Sequence, residues 1–448
     1  MWFTVYVDTL KIAFLTAGAY DPRMSRPNVP PGPSHPVKPA PQYAQSMLRQ
    51  RPIFPDGTAK LPIVRLRSVR RHPNLFRKMV ASADRSAGPG DFVQVLSPQD
   101  EIIGFGFYNP MAEIAVRMVS FGPTPPEESL VVARLDRAIA LRRDILRLDD
   151  KATAYRVIHA EADGFPGLVV DRYGDILSAE AFSLAMYQRA EAILALIAAR
   201  LGTKHTVIQA PAKTHGQEGF TAPPLKSENC PQSTIITEFE TQFRVDFTEG
   251  HKTGFFCDQR DNRKRLADLT PGRTVLDVCC YTGGFALQAA RLGQAAEVTA
   301  VDLDEQALET ARQNAKLNRA NIKFVHVDAF QYLRDMISNG TKFDVVVLDP
   351  PKLIRNRAEI DAGTKKHLDL NKLAMQVVAP GGILVTCSCS GLLPEAEFLR
   401  LLQSAAKYAG AGKSIQILER TGASADHPVL GDVPESEYLH TAWLRVLE

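Results

Sequence analysis

The sequence predicts an α/β chain whose second half is a doubly wound parallel sheet, preceded by a small β-rich module and a small α+β region. Three observations predict it. From about Thr274 onward, apolar runs alternate with helical patterns on a βαβ spacing. Successive apolar runs close on acidic residues, Asp277, Asp302, Asp328 and Asp349. The first of them leads into a glycine turn, Tyr281-Thr282-Gly283-Gly284-Phe285, that opens a helix.

In chain order, residues 1–59 form a leader in which Pro27 to Pro41 is dominated by proline with Ser, Gly and Lys. Such a segment cannot bury enough apolar surface to offset its ordering entropy, so disorder is expected. The apolar start, Met1 to Val7, is interrupted by Asp8 and Lys11 and is too short to span a bilayer. Residues 60–124 carry short runs with strand character, at Ile63, Asp91, Ile102 and Ala115, which suit a small β-barrel module. Its first half gathers Arg65, Arg67, Arg70, Arg71, His72, Arg77 and Lys78, cations able to neutralise phosphates. The plainer reading of such a run is a solvated basic face.

Residues 125–247 open with an amphipathic pattern from Glu127 to Leu146. It places Val131, Leu135, Ile139 and Leu146 inward and Arg134, Arg137, Arg142 and Arg143 outward. Two further apolar runs flank the turn cluster Asp163-Gly164-Phe165-Pro166-Gly167, and a second helix is expected from Met186 to Leu201. Residues 248–448 hold the parallel sheet.

At 448 residues with 45% hydrophobic content, the chain has material for several packed cores. A net charge of +3 is too small to imply a nucleic-acid partner, so any such contact rests on local clustering. The six cysteines, Cys230, Cys257, Cys279, Cys280, Cys387 and Cys389, do not resemble a secreted disulfide framework, and a reducing cytoplasm is expected. Cys387-Ser388-Cys389 lacks the spacing and the histidine partners of a structural zinc site, so no metal is expected.

The glycine turn lacks the G-x-G-x-x-G of a pyrophosphate cradle, and Asp302 lies about 20 residues beyond it, where an acid grips ribose hydroxyls. A cofactor with adenosine but no phosphate fits better than a dinucleotide, and S-adenosylmethionine is the expectation. Gly283 and Gly284 let the backbone approach it. A later strand from Gly381 ends in Cys387-Ser388-Cys389-Ser390-Gly391, at the same sheet edge as Asp349. A thiol there suits attack on carbon 6 of a pyrimidine, which makes carbon 5 nucleophilic toward a sulfonium methyl group. Strand alternation puts Cys387 and Cys389 on one side and does not choose between them; closeness to the loop favours Cys389. The other four cysteines read as structural.

Several motifs occur together: Lys252-Thr253-Gly254-Phe255-Phe256-Cys257-Asp258-Gln259-Arg260-Asp261-Asn262-Arg263, the Tyr281 turn, Asp349-Pro350-Pro351-Lys352 and Ser388-Cys389-Ser390-Gly391. With Arg70-Arg71-His72-Pro73, Glu161 to Gly167 and Ala425-Asp426-His427-Pro428, they run in one order from about Pro62 to the C-terminus. In them the chain resembles the bacterial ribosomal RNA large-subunit methyltransferase I family. The resemblance implies a PUA domain, a small central α+β domain and a Rossmann-like class I methyltransferase domain. It also implies transfer of a methyl group from S-adenosylmethionine to cytosine carbon 5 in large-subunit ribosomal RNA.

By motif position Cys389 would be the nucleophile and Asp349 would hold the cytosine edge. Asp277, Tyr281, Thr282, Gly283, Gly284, Asp302, Asp328 and Asp349 would line the cofactor. Lys352, Gln259, Arg260, Asn262, Arg70 and Arg71 would meet RNA, and a homodimer is possible. Gln259, Arg260 and Asn262 precede the first sheet strand and would line the same cleft; the plainer reading makes them solvent-exposed loop residues with no function. Asn74 stands where relatives usually carry an aromatic residue, which puts the RNA contacts of the PUA domain in question. Two rivals remain: a guanine-N methyltransferase, which needs no thiol, and a non-catalytic RNA-binding assembly factor.

Overall fold

The computed structural model describes residues 45–57, 59–247 and 255–448. The expected disordered leader up to residue 44, and Lys252-Thr253-Gly254 of the sequence motif, lie outside the described residues. The described end of the leader, expected to be disordered with the rest, packs on the body of the protein. Ile53 is buried, Gln188 Nε2 donates to the Met47 carbonyl at 2.6 Å, and Arg189 Nε donates to that of Ile53 at 2.9 Å.

The N-terminal module is a six-stranded sheet in the order Asn74–Phe76, Ile114–Phe121, Ile102–Tyr108, Asp91–Leu96, Ile63–Leu66, Val80–Ala83. Val64, Leu66, Leu75, Val93, Val95 and Val116 fill its core. The central region is a five-stranded sheet, from Leu225–Lys226 at one edge to Ala154–His159 at the other. A separate hairpin, Ser233–Glu238 with Thr241–Asp246, follows it. This hairpin is a bridge: Phe243 and Val245 share a core with Tyr173 and Ile176 on one side and with Leu287 and Ala315 on the other.

The C-terminal sheet has seven strands in the order Lys323–His326, Glu297–Asp302, Thr274–Val278, Phe343–Leu348, Val378–Ser388, His440–Leu447, Ser414–Thr421. The first five are parallel and the last two antiparallel. Period-two alternation explains why helices cover both faces. Val275, Val345, Val347 and Val385 point to one core, with Phe285 and Leu308; Leu276, Val346, Leu348 and Leu384 point to the other, with Leu333, Leu370 and Phe398. The chain leaves Thr274–Val278 toward one edge and returns at Phe343–Leu348 toward the other. The crevice between those two strand ends is the topological switch point at which open α/β sheets bind ligands. The antiparallel C-terminal pair is absent from the sequence reading.

The amphipathic helix corrects another expectation. It runs Glu128–Ala140 and continues as a π turn, Leu141–Ile145. Val131 and Leu135 are buried as expected, but Arg142, expected outward, is 0% exposed. Its guanidinium meets Asp163 at 2.7 and 2.8 Å and the Asp426 carbonyl at 2.7 Å, so an ion pair explains its inward turn. Arg134 also turns inward, donating to the carbonyls of Gly164 and Val119. The second expected helix breaks into Leu184–Tyr187 and Ala190–Leu201, with Ser183 capping the first turn through the Met186 N–H. Among the described residues no helix is long and apolar enough to cross a membrane.

Candidate active site

Asp277 sits under the glycine turn and is 0% exposed. Its Oδ2 accepts the Ala286 N–H at 2.9 Å, an anion at the start of the helix Gly284–Arg291. Its Oδ1 has no hydrogen-bond partner among the described residues. Burial pushes this carboxyl up to about 7 against the Ala286 bond, with Asp349 and Asp302 adding repulsion. The turn itself is strained: Cys279 and Tyr281 have φ of 63° and 50°, and Gly283 has φ 82°. A Cβ at Gly283 would meet that of Ala311 at 3.3 Å in a backbone conformation that L side chains rarely adopt.

The rest of the rim is acidic. Asp302 takes the Tyr281 N–H on Oδ2 and the Asp304 N–H on Oδ1, which shapes the turn and leaves the carboxylate partly exposed. Asp328 caps the helix Ala329–Ser338 through Oδ1 and is exposed. Thr282 is buried, its carbonyl held by Asn314 Nδ2, and the Tyr281 ring meets Phe256 edge-on at 5.2 Å. S-adenosylmethionine carries a sulfonium and an ammonium, and this rim suits it on charge. The unpartnered Asp277 oxygen and the close glycine backbone fit such a group; Asp277, Asp302 and Asp328 would hold it.

Asp349 follows the Phe343–Leu348 strand and keeps part of its surface at the crevice. Gln259 Nε2 donates to its Oδ2 at 3.0 Å and to the Cys387 sulfur at 3.4 Å. Burial and then the charge of Asp258 push Asp349 up to about 7, the Gln259 bond opposing them. Leu348 pairs with Thr386 on the adjacent strand, so Asp349 and the Cys387–Cys389 segment leave the sheet at one edge.

The two thiols there are not equivalent. Cys387 is 0% exposed and bonded to Thr441 Oγ1 at 3.4 Å; burial, reinforced by Asp349, holds it as a thiol. The strand ends at Ser388, so the alternation that put both sulfurs on one side stops there. Ser388 and Ser390 are both 0% exposed, and Ser390 Oγ accepts the Ile354 N–H at 3.3 Å. Between these two sealed serines Cys389 is partly exposed. Burial and the acids of the rim likewise push Cys279 and Cys280 up.

The segment carrying Gln259, Arg260 and Asn262 is interior, not an exposed loop. All three are buried, on the turn Cys257–Gln259 and the helix Arg260–Ala267. Asn262 Nδ2 donates to Gln259 Oε1 at 2.6 Å, which orients the amide that holds Asp349. Arg260 makes two bonds to Asp426, at 2.9 and 3.0 Å, which explains why it turns away from solvent. Gln259 and Asn262 bear on the crevice through Asp349, Arg260 turns to Asp426, and none of the three stands on an exposed surface. Lys352, Arg70 and Arg71 are exposed. Asn74 donates to Glu161 at 3.2 Å, between the N-terminal and central sheets.

The sequence reading also missed a buried hub around Asp426. Its carboxylate takes Arg260, the Arg156 N–H at 2.9 Å and His427 Nδ1 at 3.1 Å, and its carbonyl takes Arg142. The Ala425-Asp426-His427-Pro428 motif was the available signal, but nothing in it named the partners.

Residues 269–431 match the family model of a methyltransferase domain, and residues 66–121 that of a PUA-like domain. Two solved structures are similar in fold. One is a putative SAM-dependent methyltransferase from Streptococcus mutans, with TM-score 0.68 and 20% identity over 80% of this chain and 92% of that one. The other is a putative methyltransferase complexed with SAH, with TM-score 0.70 and 20% identity over 86% and 99%. Sheet, rim and matches define the class, an S-adenosylmethionine-dependent methyltransferase with a PUA-like domain. Curated relatives named ribosomal RNA large subunit methyltransferase I match at 36% identity in Vibrio cholerae, over 84% of this chain and 96% of the relative, and at 36% in Escherichia coli, over 85% and 96%. The chain belongs to the ribosomal RNA large subunit methyltransferase I family.

Proposed function

We propose that this protein methylates carbon 5 of a cytosine in large-subunit ribosomal RNA through a transient adduct on Cys389. The observation that carries the reading is the contrast at the sheet edge: Cys387 is sealed, and Cys389 is partly exposed between two buried serines. S-adenosylmethionine, when bound, supplies an electrophilic methyl group. The Cys389 thiolate adds to carbon 6 of the cytosine, and the C5–C6 electrons form the new bond from carbon 5 to the methyl group as the methyl–sulfur bond breaks and the sulfur leaves as a neutral thioether. A base then takes the carbon-5 proton, the double bond re-forms and the thiolate leaves. Asp349, oriented by Gln259, holds the polar edge of the base.

The names of the relatives supply the ribosomal RNA. Exposed Arg70 and Arg71 on the PUA-like domain and Lys352 beside the crevice are the proposed phosphate contacts. The target base leaves its stack to reach the sulfur, so a loop or a partly assembled subunit is the proposed substrate. The proposed setting is the cytoplasm. No residue in the reading comes from a second copy, so a monomer suffices, and sedimentation decides the homodimer.

Cys389→Ala is the test. It abolishes methyl transfer in a cytosine-C5 enzyme and leaves a guanine-N methyltransferase active, and an assembly factor shows no transfer with either protein. Mapping 5-methylcytosine in ribosomal RNA with and without the gene identifies the target, and loss of no such mark overturns the reading.

A further inference from the structure

Apart from the crevice, and sharing no residue with it, a cavity of about 270 Å³ lies under the segment that joins the leader to the N-terminal sheet. Its walls include Pro55, Pro62 and Phe92, and its charged lining is Arg51, Lys60, Arg189 and Asp91. Arg189 is the unusual member. It is 3% exposed, and its guanidinium lies over the Phe107 ring at 4.1 Å. A guanidinium has five N–H donors. Nε donates to the Ile53 carbonyl at 2.9 Å, and Nη1 donates to the Ala185 carbonyl at 3.0 Å and to Gln188 Oε1 at 3.4 Å. Nη2 has no acceptor among the described residues, and Arg189 lines the cavity.

Charge is unbalanced at the same place. Asp91 is the one acid in the lining, and it is committed to Arg51 at 2.7 Å and to the Gly88 N–H. Among the described residues neither Arg189 nor Lys60 forms an ion pair of its own, and Asp91 reaches Arg189 only as a charge already committed to Arg51. Burial, and then the Arg51 charge, push Arg189 down to about 9, with the charge of Asp91 opposing them only in part. Arg189 also immediately precedes the helix Ala190–Leu201, whose N–H end adds positive potential. A buried charge that is hydrogen-bonded but unpaired is costly, and an oxyanion with several acceptor oxygens would satisfy the open fork of Nη2.

We propose that this cavity binds a phosphate group, gripped by Arg189 from below and by Arg51 and Lys60 at the rim. The surplus of two cations and the guanidinium fork suit the several acceptor oxygens of a phosphate group, whether free or in an RNA backbone, better than a carboxylate. The source is free phosphate or the backbone of RNA, and the site is independent of the chemistry at Cys389.

Arginine Nε–Hε resonances of the full ¹⁵N-labelled chain test it, with the Arg189 peak assigned by its loss in Arg189→Lys. Inorganic phosphate is expected to shift that peak saturably, with sodium acetate at equal ionic strength leaving it in place. Lys60 is exposed, so Lys60→Gln keeps the fold, and it weakens the phosphate response roughly fivefold. A shift with inorganic phosphate assigns free phosphate, and a shift with a short RNA oligonucleotide alone assigns the RNA backbone. No shift with either, or an equal shift with acetate, overturns the proposal.

Discussion

Asp426→Asn is the most demanding perturbation that the structure offers. Arg260 Nη1 and Nη2 reach Asp426 Oδ2 and Oδ1 at 3.0 and 2.9 Å, and both side chains are 0% exposed. Oδ2 also takes the Arg156 N–H, and Oδ1 also takes His427. Whichever way an asparagine amide turns, its NH₂ faces a donor. Removing one partner of a buried pair costs about 3–5 kcal/mol because the other charge is left uncompensated. At about 1.4 kcal/mol per decade the folding constant falls by roughly two to three and a half decades. Denaturant midpoints, read from the fluorescence of buried Trp443, measure this loss.

The control is Arg265→Ala, which breaks a 2.8 Å pair with Glu419 whose side chains are 43% and 38% exposed, and costs no more than about 1 kcal/mol. Burial pushes the Asp426 carboxyl up, but His427 and Arg260 outweigh it and hold it well below the usual carboxylate range. Its contribution is therefore present above the ordinary carboxylate value and lost as pH falls through the folded value, so the gap between wild type and Asp426→Asn closes in strong acid. A loss under about 1 kcal/mol at neutral pH refutes the hub.

Asp277 has the opposite sign. With its folded value raised to about 7, the native state keeps a proton that the unfolded chain has lost, and stability falls as pH rises from about 4 to 7. Asp277→Asn is expected to raise the melting temperature of the cofactor-free protein at pH 8 more than at pH 4, and to weaken S-adenosylmethionine binding; equal effects at both pH values contradict the burial argument. Gln259→Leu removes the donor that opposes the rise of Asp349, so an acidic limb of the pH–rate profile set by Asp349 moves to higher pH, with kcat reduced. An unmoved limb excludes that link. Gly283→Ala costs about 1–3 kcal/mol of stability through its positive φ, as denaturation will report. Cys387→Ala keeps methyl transfer, measured with labelled S-adenosylmethionine, because that sulfur is sealed.

The parallel sheet was legible because its strands are buried on both faces and end in acids, so Val345-Val346-Val347-Leu348 followed by Asp349 carries strand type and site together. The C-terminal pair was harder: Ser414–Thr421 is an edge strand of mixed polarity, and its place beside His440–Leu447 depends on a long-range pairing that no local period encodes. Arg142 and Arg260 were misjudged for one reason. Sequence patterns treat arginine as surface, and here Asp163 and Asp426, distant in sequence, supply the counter-charges that draw them inside. The choice between Cys387 and Cys389 hung on where one strand ends, the least readable feature of any element.

The central claim is that the Cys389 sulfur bonds to the pyrimidine ring. Ribosomal RNA in which cytosine is replaced by 5-fluorocytosine tests it directly, because fluorine cannot leave as a proton does and the adduct is held after methyl transfer. Incubated with enzyme and S-adenosylmethionine, it is expected to give a denaturation-resistant protein–RNA complex whose digested peptide carries the nucleotide on Cys389. A complex mapped to Cys387, or normal methylation of unmodified RNA with no trapped species, contradicts the account.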